Sequence, residues 1–182
     1  FYHALRARGL PAICIDARHA KAALDMAPNK TDAKDADGLA HLAEVGFFRE
    51  VRVQGVDSML TRTLVGARNQ LVRMTTQLSN QIRGVMKTFG LLVPAAKGSK
   101  FERNVRDLLA DRTELAAIVL PLLEAWRSLR TQVADLGTRL VATARQSTDC
   151  RRLMSIPGVG AVTSTSLVAA IEDPANFRNS RS

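Results

Sequence analysis

Residues 57–90 read DSMLTRTLVGARNQLVRMTTQLSNQIRGVMKTFG and contain no proline. Their apolar residues recur at alternating steps of three and four, with one slip, which is the spacing of a single helix face. We expect Asp57 and Ser58 to cap a long helix here, whose apolar seam needs a partner as in a coiled coil or a helical hairpin. The seam consists of Leu60, Leu64, Ala67, Leu71, Met74, Leu78, Ile82, Val85 and Phe89.

A second apolar seam, in a seven-residue register with Arg112 as its polar exception, follows in the chain. Its members are Phe101, Val105, Leu108, Leu115, Val119, Leu122, Trp126, Leu129, Val133, Leu136 and Leu140. With residues 91–100 as the turn, the simplest prediction is a long antiparallel coiled-coil hairpin, although the same seams could join two chains into a homo-oligomer. Because an interior proline disfavours a helix, we expect a kink at Pro121 or a new helix that starts there.

Basic residues are concentrated on this hairpin. The chain has 26 Lys and Arg against 17 Asp and Glu, a net charge of +9. Between Ser58 and Arg106 only Glu102 opposes nine cations: Arg62, Arg68, Arg73, Arg83, Lys87, Lys97, Lys100, Arg103 and Arg106. A solvated helix face normally mixes both signs, so the alternative of a merely solvated face is less favoured, and we predict a face that binds nucleic-acid phosphates.

Residues 1–56 are typical of the end of an α/β unit. A helix over 1–8 closed by Gly9 precedes an apolar run, 12–15, that predicts a buried parallel strand. Asp16 is expected to cap a helix over 17–26, and the alternation in 48–53 predicts a second strand.

The stretch 30–40, KTDAKDADGLA, begins a further helix, for which Thr31 is a good N-cap. Helical spacing places Asp32 and Asp35 on the face turned toward the protein body and Asp37 outside it. Inward carboxylates need a positive partner, and a Mg²⁺ ion is one candidate. The alternative is that both acids only complement the helix dipole.

Residues 151–163 read RRLMSIPGVGAVT. A helix, a Pro-Gly-Val-Gly turn and a second helix, ended by Asp173 and Pro174, form the pattern of a helix-hairpin-helix. Gly158 and Gly160 would let the backbone approach a phosphate beside Arg151 and Arg152. A plain tight turn between helices is the alternative.

The sequence therefore predicts a mainly α protein with a small α/β portion, divided at 1–56, 57–148 and 149–182. Cys14 and Cys150 lack metal-ligand spacing and suit a reducing cytosol. No signal peptide or 18-residue apolar span occurs in the sequence, which predicts a soluble cytoplasmic protein without a membrane partner. Both ends look cut, so we expect a fragment.

Three features together resemble the DEDD-type transposases of bacterial insertion sequences: residues 29–36, the basic middle, and 151–160 with 173–178. The resemblance implies a RuvC-like (ribonuclease-H-like) amino-terminal domain and a carboxy-terminal transposase domain that carries a serine. It makes Asp32 and Asp35 the last two acids of a four-acid Mg²⁺ site. The first Asp and the Glu would precede Phe1, and the serine nucleophile would lie past Ser182.

The resemblance also implies partners. The intact protein would bind DNA, cleave it and rejoin it. In at least some members of the family, a structured RNA of the element guides the choice of target and donor DNA. Nothing in the residues themselves excludes a non-catalytic helical DNA- or RNA-binding protein, in which Asp32 and Asp35 only cap a helix.

Overall fold

The computed structural model describes residues 1–25 and 31–176 and separates the chain into two compact units, Phe1–Val56 and Asp57–Ser182. The described residues are mainly helical, which confirms the mainly α class. The helices are α1 Tyr2–Ala7, α2 Ala17–Leu24, α3 Asp32–Glu44, α4 Val56–Thr88, α5 Ser99–Leu109, α6 Thr113–Gln146, α7 Thr148–Met154 and α8 Ala161–Ile171, followed by a 3-10 turn, Pro174–Asn176.

Local signals correctly placed the helices of the first unit. Gly9, at φ +76°, closes α1, as the residue without a Cβ can in the left-handed region. Asp16 caps α2 by accepting a hydrogen bond from the Arg18 backbone N–H at 2.9 Å. The helix ends at Leu24, and the predicted end at Met26 lies outside the described residues.

The two predicted strands are reduced to one isolated antiparallel bridge between Ile15 and Glu50. The expectation of a buried parallel strand over 12–15 was wrong, because Ile13 is 48% exposed. Parallel strands occur almost only in sheets whose two faces are both covered. Within the described part of this unit, the one β-bridge of 12–15 is the pairing of Ile15 with Glu50.

The second unit is built on a core between the end of α4, the whole of α5 and the start of α6. Its buried members are Ile82, Met86, Phe101, Val105, Leu109, Leu115, Val119, Leu123 and Trp126. Residues 89–98 connect α4 to α5, as the predicted turn does. The second arm of the hairpin, however, consists of two helices. The helical conformation is interrupted at residues 110–112, and Arg112 is the N-cap of α6.

The helices α4 and α6 run antiparallel. Met86 shares the core with Val119 at one end, and Arg68 lies beside Gly137 further along, with Arg68 Nε 3.7 Å from where a Gly137 Cβ would stand. The predicted α4 seam is correct at Ile82, but Leu60 is 62% exposed and Val65, which was not predicted, is buried. The buried stripe therefore drifts across the predicted one.

The expected new helix at Pro121 was wrong. Helix α6 continues through Pro121 without a break from Thr113 to Gln146. Pro121 is exposed, while its neighbours Val119 and Leu123 are fully buried. Core packing on the opposite face keeps the helix intact despite the backbone hydrogen bond that proline cannot donate.

Helices α7 and α8 fold back onto the far end of α6. Small or short side chains are buried on these three helices, including Ala144, Cys150, Ser164 and Ala169. Glu172 adopts φ +59° and ends α8 just before Asp173 and Pro174, as predicted. Over the described ranges, each helix is too short or too polar to span a bilayer.

Candidate acidic helix and nucleic-acid interface

The acidic helix α3 begins where the sequence predicts. Thr31 accepts a hydrogen bond from the Lys34 backbone N–H at 3.3 Å through its side-chain hydroxyl. Asp32 and Asp35 therefore occupy the first turn, where the helix dipole favours negative charge. Both carboxylates lie at the same helix end, one turn apart.

The two carboxylates differ in burial. Asp35 is half-buried and lines a groove of about 400 Å³ with Lys21 and Asp25, whereas Asp32 is exposed and lies outside that lining. The expectation that both face the protein body is thus correct for Asp35 only. A Cβ at Gly38 would stand 2.3 Å from Leu24 Cδ2, so α3 packs on α2 through Gly38. Asp32, six residues earlier, lies on a different face of α3.

No cluster of three or more His, Cys, Asp or Glu side chains within metal-binding reach occurs in residues 1–25 and 31–176. Two carboxylates on one helix turn are nevertheless suitable oxygen donors for Mg²⁺, which commonly takes one or two protein carboxylates together with substrate phosphates. The residues present therefore fit a partial metal site.

Most of the predicted phosphate-binding cations are solvent-exposed on the second unit. The exposed ones are Arg62, Arg73, Lys87, Lys97, Lys100, Arg103, Arg106, Arg151 and Arg152. Among them, Arg73 donates to Gln70 Oε1 at 2.7 Å and Arg151 to Thr148 Oγ1 at 3.3 Å, each within its own helix. These local bonds leave both side chains on the surface, where a nucleic-acid backbone can reach them.

Two predicted cations, the half-buried Arg83 and the exposed Arg106, bond to other groups of the unit. Arg83 donates to the Ala96 carbonyl at 3.2 Å and lies 4.7 Å from the Phe101 ring centroid. Arg106 donates hydrogen bonds to Glu124 on α6 and to Glu102 one turn away, and these bonds raise the pKa of Arg106. Both arginines thus contribute to the fold.

Arg68 differs from all the others. Its Nε atom is buried, and the structure gives it no hydrogen-bond partner in the part of the chain that it describes. The side chain lines a groove of about 630 Å³ together with Arg145 and the start of α8. Arg145 was not predicted from the sequence, because its helix position indicates only a last-turn cation and nothing in the pattern relates it to α4.

The predicted turn between the last two helices is present. Gly158 has φ +86°, and Gly160 is the N-cap of α8 in an extended conformation, with no side-chain cap. A Cβ on either glycine would meet nothing within 4 Å, so packing does not require these glycines. The space beside both glycines is therefore open, and the approach of a phosphate to this backbone stays a prediction.

Comparison with known proteins places both ends of the chain in one group. A family model described as transposase, of the DEDD IS110 type, matches residues 1–90, and a second, described as transposase IS116/IS110/IS902 family, matches residues 150–182. The chain is similar to the transposase for insertion sequence element IS1111A of Coxiella burnetii, 30% identical over 100% of this chain and 50% of the relative. It is also similar to a Sinorhizobium fredii protein named as transposase y4pF/y4sB, 34% identical over 84% of this chain and 40% of that protein. The chain spans about half the length of these curated relatives, or less.

Proposed function

We propose that this chain, which belongs to the IS110/IS116/IS902 family of DEDD-type transposases, carries part of the catalytic site and the nucleic-acid-binding arm of a DNA transposase. The observation that carries the proposal is the second unit, where exposed cations outnumber acids along α4 and α5. Such a surface gains free energy by releasing counterions from a phosphate backbone.

In this proposal Asp32 and Asp35 hold a divalent cation, Mg²⁺, at the start of α3. When bound, that cation would polarise the scissile phosphate. Thr31 fixes the helix start by capping it, which places both carboxylates in the first turn of α3. The two further acids and the serine nucleophile of the family are proposals for the whole protein, as are a guide RNA and a homo-oligomer.

The metal proposal is tested by titrating Mn²⁺ into the chain in the presence of duplex DNA and following free Mn²⁺ by electron paramagnetic resonance. Asp32→Asn and Asp35→Asn should each weaken Mn²⁺ binding about tenfold, the loss of one charged ligand. Asp37→Asn, on the same helix and exposed, is the matched control and should leave binding unchanged. Equal binding by all three variants would mean that the acids only stabilise α3.

That result would favour the alternative function, a non-catalytic helical DNA- or RNA-binding protein. The observation behind this alternative is the exposure of Asp32 and the partial burial of Asp35, which leave neither carboxylate deeply held. Nucleic-acid binding itself is tested separately through the salt dependence of affinity. Several phosphate contacts predict a steep negative slope of log K against log salt, and a flat slope would contradict both functions.

A further inference from the structure

A groove in the second unit brings together groups from three helices that are far apart in the sequence. Arg68 comes from α4, Arg145 from the last turn of α6, and Gly160, Ala161 and Val162 from the start of α8. The remaining lining residues are Ala134, Gly137, Thr138, Leu140, Val141 and Ala142. This lining contains two cations and no acid, so the groove favours an anion.

Arg68 lines the groove, but its Nε is enclosed by protein, so a ligand in the groove would meet the other guanidinium atoms, or the Nε only after a shift of the side chain. An arginine N–H that is removed from water without a partner costs stability, and such donors are normally satisfied by a protein group, a water or a ligand. This atom lies against α6, where a Cβ at Gly137 would stand 3.7 Å from it, an ordinary van der Waals distance. The donor is therefore enclosed by protein before any ligand arrives.

The start of α8 supplies a second set of donors to the same groove. Gly160 caps the helix without a side-chain hydrogen bond, and the first backbone N–H groups of a helix have no acceptor within it. Aligned peptide dipoles add positive potential at this end. Neither the helix end nor the arginine would make a site alone, but here they line one cavity.

We infer that this groove is a binding site for a single backbone phosphodiester of a nucleic acid, held between Arg68, Arg145 and the Ala161 N–H. The site rests on the proposed nucleic-acid-binding function and deepens it. It assigns a role to Arg145, and it distinguishes Arg68, whose Nε is enclosed by protein before binding, from the exposed lysines of the same unit, which attract the strand less specifically. A fixed donor set also fixes the register of the strand along α4 and α6.

The test measures the affinity of the 182-residue chain for a fluorescein-labelled 20-base-pair duplex at several salt concentrations. The measurement is made once with a DNA duplex and once with an RNA duplex of matched sequence. Arg68→Gln should weaken binding about tenfold and reduce the salt slope by about one. Arg139→Gln, an exposed arginine on α6 outside the groove lining, is the matched charge control and should have a much smaller effect. If Arg68→Gln weakens binding to only one of the two duplexes, that duplex has the backbone that the groove accepts.

A second variant protects the test against misfolding. Proline is tolerated at the first residue of a helix, and Gly160 before it is already extended, so Ala161→Pro removes one N–H while leaving α8 intact. We expect it to weaken binding about fivefold with an unchanged melting temperature. If the wild type binds with a steep salt slope but Arg68→Gln and Ala161→Pro bind like Arg139→Gln, the groove is not the site, although the proposed function stands. If the wild type does not bind, the proposed function itself fails.

Discussion

Phe101 and Trp126 are in contact across α5 and α6, with ring centroids 4.8 Å apart and planes inclined by 60°. An arginine covers each ring: Arg83 lies 4.7 Å from the Phe101 centroid and Arg130 4.8 Å from the Trp126 centroid. Tilted aromatic pairs and cations over ring faces are both favourable. This cluster fastens α5 to α6 and uses two of the chain's many cations for stability.

Loss of this contact should be costly. Phe101 is 1% exposed, and Phe101→Ala leaves a cavity that should lower the free energy of unfolding by about 3–5 kcal/mol. Trp126 is the single tryptophan of the chain, so its fluorescence during urea unfolding reports on this core directly. Phe89→Ala, at a ring that is 56% exposed, should change stability by less than about 0.5 kcal/mol, and a similar loss in both variants would contradict this core.

The cations of the second unit should separate into two groups when their charges are removed. Lys97→Gln and Lys100→Gln remove exposed charges and should each reduce the salt slope of duplex binding by up to about 0.9 without changing the melting temperature. Arg106→Gln removes the link to Glu102 and Glu124, so it should lower stability by up to about 1 kcal/mol and change the slope less. The reverse ranking would show that Arg106 leaves its carboxylates to bind nucleic acid.

The two turn glycines should also differ when they are replaced by alanine. Gly158 has a positive φ, so Gly158→Ala strains the backbone by about 1–2 kcal/mol even though the added Cβ meets nothing. Gly160→Ala should keep its stability and weaken duplex binding, because the new methyl group points into an open approach path. Thermal unfolding and fluorescence anisotropy of both variants check this, and a stability loss at Gly160 would mean that packing determines this residue.

Sequence reasoning succeeded where the cause is local. The cap at Thr31, the turn at Gly9 and the end of α8 before Asp173 depend on neighbours within four residues, and the structure has all three. The uninterrupted run of 57–90 likewise predicted α4 to within a few residues at each end, although the helix begins at Val56, before the expected cap.

The errors have causes that are distant in the sequence. The exposure of Asp32 follows from the packing of Gly38 against Leu24. Because Leu24 belongs to α2, a helical wheel of α3 alone cannot predict this contact. Charge counting could not show that Arg83 and Arg106 bond to groups of the fold, because these partners lie on another helix or in a loop. The Arg68 groove was missed because it needs α4, α6 and α8 together.

The carboxylate that caps α2 should titrate at low pH. The hydrogen bond from the Arg18 backbone N–H lowers the pKa of Asp16 below its ordinary value of 3.8. A lowered pKa in the folded state means that the cap contributes stability at neutral pH and loses it as the pH falls through that lowered value. An NMR titration should give a midpoint below 3.8, whereas in Asp16→Asn the stability of α2 should lose this acid dependence.

Pro121 offers the most direct test of why α6 stays whole. Its ring cannot donate the hydrogen bond that residue 121 would make to the carbonyl of Ala117, and it crowds that carbonyl. Because the residue is exposed, Pro121→Ala changes little packing, so the variant should gain about 1–3 kcal/mol in the free energy of unfolding. Ser128→Pro, also exposed and interior to α6, is the reverse control and should lose about 3 kcal/mol or more. Urea unfolding followed by Trp126 fluorescence measures the stability of both variants. If Pro121→Ala is no more stable than the wild type, α6 has already relaxed around its proline. The core contacts of Val119 and Leu123 would then depend on that relaxed shape.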